Sequence, residues 1–275
     1  MALTVQTNVT SMNAYNQLGK TQHALSTSFA RLSSGMRINS AADDAAGLGI
    51  SKSMNAQVRS FAVAERNTND AISMVQTADG GAEEIHGLLT RMRELAVQAS
   101  NGSLSASDYT NIDAEFQSNL SEIDRIASSV QFNGINLLSG AAASKDFQVG
   151  IGTDGTDRVS VSFGGADATR LAVNGSSVTS FANAQSAITA LDSAIGTLSG
   201  VRAGWGAAMN RFQNTVSNLQ TMQTNMSASL SRIRDADIAS ETAALSKNQV
   251  LSQAGAAILS QANQSPQLAL SLLRG

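Results

Sequence analysis

The chain carries apolar stripes at helical spacing over most of its 275 residues, and this periodicity constrains its fold more than any other feature. Near the N-terminus, positions that alternate in steps of three and four form the a/d seam of a coiled coil. They are Tyr15, Leu18, Gln22, Leu25, Phe29, Leu32 and Met36. Near the C-terminus, one helix face carries Leu251, Gly255, Ile258 and Ala262, with Leu272 in the same register. Because neither stripe can bury itself alone, we expect these two terminal helices to pair.

Three longer helical segments are expected between the terminal helices: one over about 45–99, one over about 107–129, and a third whose apolar stripe runs from Ile188 to Ile233. At about 1.5 Å per residue, the first of these would be roughly 80 Å long. Stripes sustained over such lengths favour a rod-like bundle over a globule. The predicted fold class is therefore mostly α: a long-helix coiled coil and rod bundle with paired terminal helices.

Residues 139–180 change character, because glycine, serine and threonine become more frequent there. Within them, residues 158–163 alternate polar and apolar side chains with a period of two, as a half-buried strand does. We expect a small β-hairpin and loop insertion that faces outward, carries few buried contacts and tolerates replacement of 165–180 by a short linker. The expected domains are a terminal coiled coil of 1–44 with 235–275, and a helical rod of 45–138 with 181–234 that bears the insertion 139–180.

Composition excludes several classes of function. Charged residues make up only 14%, against about 25% in an average soluble protein. This weakly charged surface suits a protein covered by copies of itself, and it suits an ordinary helix-rich soluble protein equally well. A net charge of −3 gives no electrostatic basis for binding nucleic acid. No apolar run approaches the roughly 20 residues that cross a bilayer, so membrane insertion is not expected.

The N-terminus lacks the basic and apolar regions of a cleaved secretory signal. Taken alone, this indicates a cytoplasmic protein, unless export uses an uncleaved signal. There are no cysteines, which excludes disulfides and thiolate metal sites.

The candidate chemical motifs have structural explanations. Residues 150–155 read G-x-G-x-x-G, but a strand pattern follows where a dinucleotide site needs a helix. A glycine-rich hairpin turn is therefore the better interpretation. His23 and His86 are far apart, with no ligand pattern around either. Trp205 is expected to pack in the core, with an interface anchor as the alternative. We expect no catalytic residue, cofactor or metal, and hence no enzyme.

Asp43 and Asp44 are adjacent acids in the stretch RLSSGMRINSAADDAAG (31–47). Successive helix positions differ by about 100°, so the two carboxylates do not aim at one shared point. Ser40 and Asp43 fit the S-x-x-D form of a capping box, and both acids would then lie in the first turn of the following helix. Ser33-Ser34-Gly35 interrupts the preceding helix. We therefore interpret this stretch as a joint between two helices.

The same stretch resembles the N-terminal signature of the bacterial flagellins, the subunits of flagellar filaments. Further segments resemble this family in the same order along the chain, and together they cover nearly all of 1–138 and about 185–275. The segments are RNTNDAIS (66–73), RMRELAVQASNG (91–102), EIDRIA (122–127), FNGINLL (132–138), NRF (210–212), SRIRDAD (231–237), QAGAAILSQANQSPQ (253–267) and LSLLR (270–274). Trp205 departs from the family, which commonly has leucine there. With only 139–180 in mid-chain, the resemblance implies a short form without large outer domains.

The resemblance implies a structural polymer without enzymatic activity. It implies that the paired terminal helices line the channel of an extracellular filament and that a spoke, at Ser40, Asp43 and Asp44, joins them to the rod. It also implies export of the unfolded chain through the flagellar type III apparatus, with an uncleaved N-terminal segment. The implied partners are other flagellin subunits, the filament cap, hook-junction proteins and an export chaperone at the C-terminal helix. A related junction protein between hook and filament is the alternative.

Two sets of functional residues follow from the periodicity and the resemblance together. Assembly is expected to bury one set on the terminal helices: Leu18, Leu25, Phe29 and Leu32 with Leu251, Ile258 and Leu272. By resemblance, Arg91, Leu95 and Glu115 match the motif that Toll-like receptor 5 contacts in some flagellins. Arg91 and Leu95 are four residues apart and so share one helix face, and Glu115 is expected on the antiparallel helix beside it. The three are therefore expected to form one binding patch of a cation, an apolar knob and a carboxylate. The alternative is that these three side chains serve only a subunit contact. Residues 30–51 likewise resemble the stretch perceived by a plant flagellin receptor.

Overall fold

A computed structural model describes residues 7–140 and 144–274, with side chains described up to residue 264 at the C-terminal end. Within these ranges the helices are α1 (Val9–Ser34), α2 (Ala45–Ala99), α3 (Ala106–Ser129), α4 (Phe181–Arg234) and α5 (Ile238–Arg274). The strands are β1 (Gln131–Phe132), β2 (Ile135–Asn136), β3 (Lys145–Gln148) and β4 (Arg158–Val161), with a 3-10 turn at Gly155–Asp157. The predicted class, mostly α with long helices and a small β-hairpin region, is confirmed. In the described part of the chain, no helix is long and apolar enough to cross a membrane.

The chain divides into two compact units. The terminal unit takes in Met1–Ala56 and Asn225–Gly275, and the central unit takes in Gln57–Thr224. These divisions fall inside α2 and α4, whereas the predicted boundaries lie at the helix joints, 44/45 and 234/235. The three-part domain scheme stays a prediction.

The terminal unit consists mainly of α1 and α5, which run antiparallel. At one end, the Asn8 amide donates to the carbonyl of Ala262 at 2.7 Å, and the Ser11 hydroxyl donates to the Asn263 side chain at 2.8 Å. Toward the other end of α1, Arg31 forms an ion pair with Glu241 at 3.7 Å. The predicted pairing of the N- and C-terminal helices is therefore confirmed.

The central unit is built around one apolar core. Its largest fully buried side chains come from α2, α3 and α4 and from the segments between α3 and α4; they include Ile85, Leu89, Phe116, Ile123, Leu137, Phe163, Trp205 and Phe212. Ion pairs connect α2 to α4 at the surface of this unit: Arg93 contacts Asp192 at 2.6 Å, and Arg202 contacts Asp79 at 2.8 Å.

Side chains from the described part of the segment 139–180 belong to this core, which contradicts our expectation of a loop with few buried contacts. Its buried side chains include Ala166, Ala168, Leu171, Val173 and Val178. Carboxylates of α3 hold its backbone, because Asp124 accepts the Ala168 N–H and Asp113 accepts the Val178 N–H, both at 2.8 Å. The residues that break the helical stripe thus fill space left between helices.

Candidate functional site

The glycine-rich stretch 150–155 is a hairpin turn, as predicted. It connects β3 to β4, and the Val149 and Gly150 N–H groups both donate to the Asp157 carbonyl, at 2.8 and 3.0 Å. Asp157 also fills the space beside Gly150 and Gly152, where added Cβ atoms would lie within 2.4 Å of its carboxylate. Glycine at these two positions therefore allows the Asp157 side chain to lie close to the turn backbone.

The remaining candidate chemical residues lie apart from one another. His23 is exposed on α1 and His86 is half-buried on α2. Among residues 7–140 and 144–274, no three His, Asp or Glu side chains come together as a metal site would require. Trp205 is 1% exposed, and its indole N–H donates to the Ser162 carbonyl at 2.8 Å. Core packing, the favoured interpretation of Trp205, is confirmed.

The joint between α1 and α2 contains both predicted acids, but their roles differ from the prediction. Asp44 caps α2, because its side chain accepts the Gly47 N–H at 2.8 Å. Asp43 lies before the helix, where its carboxylate accepts the N–H groups of Ser40 at 2.8 Å and Asn39 at 3.1 Å and the Ser40 hydroxyl at 3.0 Å. The prediction that Ser40 caps the helix and that both acids lie in its first turn is wrong. The chain makes a separate turn at Ser40–Asp43 before α2 begins at Ala45.

The backbone bond to Ser40 is the main cause that lowers the pKa of Asp43, followed by the Ser40 hydroxyl and the Asn39 N–H. The Asp43 carboxylate is therefore held in its charged form at the joint.

The same joint ties together two distant parts of the chain. Gly35 ends α1 in the left-handed region, with φ of 70°. The residue after it, Met36, pairs with Asp235 in an isolated antiparallel bridge. On either side, the Arg37 N–H donates to the Arg234 carbonyl at 2.6 Å, and the Ala236 N–H donates to the Gly35 carbonyl at 3.0 Å. Sequence analysis missed this bridge, since no local pattern marks a contact between such distant residues.

The seam between α1 and α5 is rotated relative to the predicted one. The half-buried and buried positions of α1 are Ser11, Ala14, Leu18, Thr21, Ala24, Leu25, Thr27, Ser28, Arg31 and Leu32. The predicted positions Leu18, Leu25 and Leu32 belong to this seam, whereas Tyr15 and Phe29 are 69% and 51% exposed. The stripe read from the sequence was a mixture of two faces. Polar Thr21 and Ser28 take seam positions that an apolar pattern cannot reveal.

On α5, the predicted assembly residues lie outside the intrachain seam. Leu251 is 44% exposed and Ile258 is 60% exposed. Leu272 lies outside the described side chains. Within the described residues of the terminal unit, Ile38 is the single apolar side chain that is fully buried. The terminal unit therefore presents much apolar surface and has almost no core of its own.

Arg91 and Glu115 come together as predicted, but Leu95 does not join them at the surface. The Arg91 guanidinium donates to the Glu115 carboxylate at 2.8 and 3.0 Å and to Glu94 at 3.1 Å. These bonds, led by that to Glu115, raise the pKa of Arg91. Leu95 is only 2% exposed, so the expected apolar knob beside this ion pair is wrong. Leu95 faces the core instead, where it packs in the same cluster as Phe116.

Comparisons with known proteins agree on one family. The model of the "Bacterial flagellin N-terminal helical region" matches residues 5–143, and that of the "Bacterial flagellin C-terminal helical region" matches residues 188–273. A flagellin of Halalkalibacterium halodurans is 40% identical over 97% of this chain and 98% of its own length. The flagellar filament 33 kDa core protein of Treponema phagedenis is 39% identical over the same shares. The crystal structure of Bacillus cereus flagellin aligns with a TM-score of 0.50 and 32% identity, over 60% of this chain and 94% of that one.

Proposed function

Because this chain belongs to the bacterial flagellin family, we propose that it polymerises through the exposed apolar side chains of its paired terminal helices. The chain is a structural subunit of the flagellar filament and not an enzyme. Its copies assemble into one homopolymer. The proposal concerns which residues form the contacts between copies, and the exposed apolar residues of the terminal unit are the candidates.

The observation that carries this proposal is the missing core of the terminal unit. Its helices are long, yet their described side chains leave Phe29, Leu251 and Ile258 largely exposed. Burying one such side chain contributes about 1.5–3 kcal/mol, whereas ordering a residue costs about 1–2 kcal/mol in backbone entropy. The paired helices therefore gain most of their stability when neighbouring copies cover these side chains.

A paired substitution tests the proposal. Leu251→Ser with Ile258→Ser removes two of the exposed apolar side chains of α5 without changing the seam residues. The matched control is Gln253→Ser with Gln261→Ser, which changes two exposed polar positions of the same helix. Electron microscopy and sedimentation should show filaments from the control but none, or only short ones, from the Leu251/Ile258 variant. Filaments of ordinary length from that variant would contradict the proposal.

The proposal extends to the route and the location of the chain. The unfolded protein leaves the cell through the flagellar type III apparatus, and the terminal unit then lines the filament channel while the segment 139–180 faces outward. Support comes from membership in the flagellin family. The same membership supports the filament cap, hook-junction proteins and an export chaperone at α5 as partners.

Recognition by host receptors is a further part of the proposal. A receptor that meets the folded central unit would find Arg91 and Glu115 at the surface, and Leu95 would contribute only by supporting α2 from within. The plant receptor would recognise the peptide 30–51 outside the folded chain. Arg91→Ala should then reduce signalling through Toll-like receptor 5 by the monomer, with Arg93→Ala on the same helix as the control. Equal signalling by both variants would contradict the receptor part alone.

A further inference from the structure

A groove of about 410 Å³ runs between α1 and α5 within the terminal unit. Its apolar lining comes from Ala14 and Leu18 on α1 and from Leu251, Gly255 and Ile258 on α5. No charged side chain lines it. The groove is deeper at Gly255 because this residue has no side chain; a Cβ there would lie 3.3 Å from the Leu18 side chain. The groove therefore fits an uncharged apolar side chain.

Phe29 is a matching knob on the other side of α1. The groove residues Asn13 and Gln17 come one position before the seam residues Ala14 and Leu18, whereas Phe29 comes one position after the seam residue Ser28. One residue is a rotation of about 100°, so the groove and the Phe29 ring lie on opposite faces of the helix pair. The ring is half exposed, and the exposed residues beside it on α1, Ser26, Ala30 and Ser33, are small and uncharged.

We propose that Phe29 of one copy inserts into the α1–α5 groove of the next copy. This inference rests on the proposed function, and it assigns the occupant of the groove as a second copy of this chain. The groove extends along α1 from Thr10 to Thr21. For Phe29 of one copy to reach the groove of the next, the two copies must be displaced by roughly 12–28 Å along the helix axis. A knob and a groove on opposite faces make a head-to-tail contact that cannot close on itself in a dimer, and repetition of such a contact produces an open helical polymer.

Cross-linking in the cysteine-free chain gives a direct test. Phe29→Cys and Ile258→Cys are introduced separately, and the two proteins are polymerised alone or mixed before treatment with a short bismaleimide. The mixture should yield covalent dimers of one copy of each variant, and the double variant should yield a ladder of oligomers. Within one chain these positions are roughly 20 Å apart along the helix pair, because Phe29 lies near the Arg31–Glu241 end. Gln253→Cys in place of Ile258→Cys is the matched control and should give no ladder.

The pattern of cross-linked products distinguishes a failure of this inference from a failure of the proposed function. Dimers from Phe29→Cys alone would indicate a symmetric contact and overturn the inference. A ladder from Tyr15→Cys with Ile258→Cys, together with no ladder from Phe29→Cys with Ile258→Cys, would overturn it as well. Filaments without any cross-link would also overturn it, and the proposed function would stand. An absence of filaments from the unsubstituted chain would count against the proposed function itself.

A double-mutant cycle provides a second measurement if the cysteine variants do not polymerise. Phe29→Ala removes the knob and Ala254→Trp fills the groove, and each should raise the critical concentration for polymerisation at least tenfold. Phe29→Leu should restore most of the loss, and the control Gln253→Trp should have little effect. Because both changes break one contact, the combined variant should be no worse than the poorer single variant. Additive effects would overturn the inference, since they indicate that the knob and the groove act in separate contacts or that another ligand fills the groove.

Discussion

At the scale of single residues, the start of α2 depends on the absence of a side chain at Gly47. A Cβ there would lie 2.4 Å from the Asp44 carboxylate and 2.8 Å from the Ile38 side chain. Gly47→Ala should therefore displace the cap and the buried Ile38, at a cost of about 1–2 kcal/mol in helix stability. Thermal unfolding followed by circular dichroism measures this loss.

Gly49→Ala is the matched control for this prediction. It lies on the same turn of α2, and a Cβ there meets nothing within 4 Å. Alanine is favoured over glycine inside a helix by about 1 kcal/mol, so this variant should be as stable as the parent or more so. Equal destabilisation by both alanines would show that Gly47 has no special role.

The turn at Ser40–Asp43 should depend on pH. The hydrogen bonds that Asp43 accepts lower its pKa in the folded chain, so they contribute stability above the unfolded pKa of about 3.9. That contribution is lost as the pH falls through the lowered folded value, and the turn should loosen only below about pH 4. The amide NMR signals of Asn39 and Ser40 report this change, and Asp43→Asn should remove it. Amide signals that titrate at or above the ordinary value would disprove the lowered pKa.

At the scale of elements, the segment between β4 and α4 stabilises the central unit through its buried side chains. Leu171 is buried in the core although it lies in a loop. Leu171→Ala should therefore lower the free energy of unfolding of this unit by about 2–5 kcal/mol, as other large-to-small core changes do. The fluorescence of Trp205, the one tryptophan of the chain, follows this unfolding. Asn174→Ala, at an exposed position of the same loop, should change it by less than about 0.5 kcal/mol.

At the scale of the whole molecule, the central unit should fold without the terminal helices, whereas assembly should require them. Because the core cluster lies in the central unit, a chain that lacks 1–40 or 240–275 should keep Trp205 buried and its far-UV helical signal. The same chain should form no filaments, since either deletion removes one of the two paired helices. Electron microscopy with fluorescence on the same samples tests both statements. Filaments of normal length from either truncation would show that the terminal pair is dispensable.

Sequence analysis predicted the long helices from their apolar periodicity and the end of α1 from Ser33-Ser34-Gly35, where Gly35 adopts a positive φ. Two local signals were available and not used. Ser105 forms a capping box with Asp108 at the start of α3, and Asn133-Gly134 is the two-residue turn that favours a hairpin and joins β1 to β2. These features depend on neighbours within a few residues, so the sequence is sufficient to find them.

The sequence by itself therefore determined the long helices, the break after α1 at Gly35 and the pairing of the two terminal helices. Only the tertiary structure decided which face of α1 meets α5, that Leu95 packs inward and that the segment 165–180 fills the core. The physical reason is that periodicity defines a stripe but not its partner. Whether Phe29 or Ser28 is covered depends on where a helix from the other end of the chain lies, and a polar side chain in the seam leaves no mark in the apolar pattern.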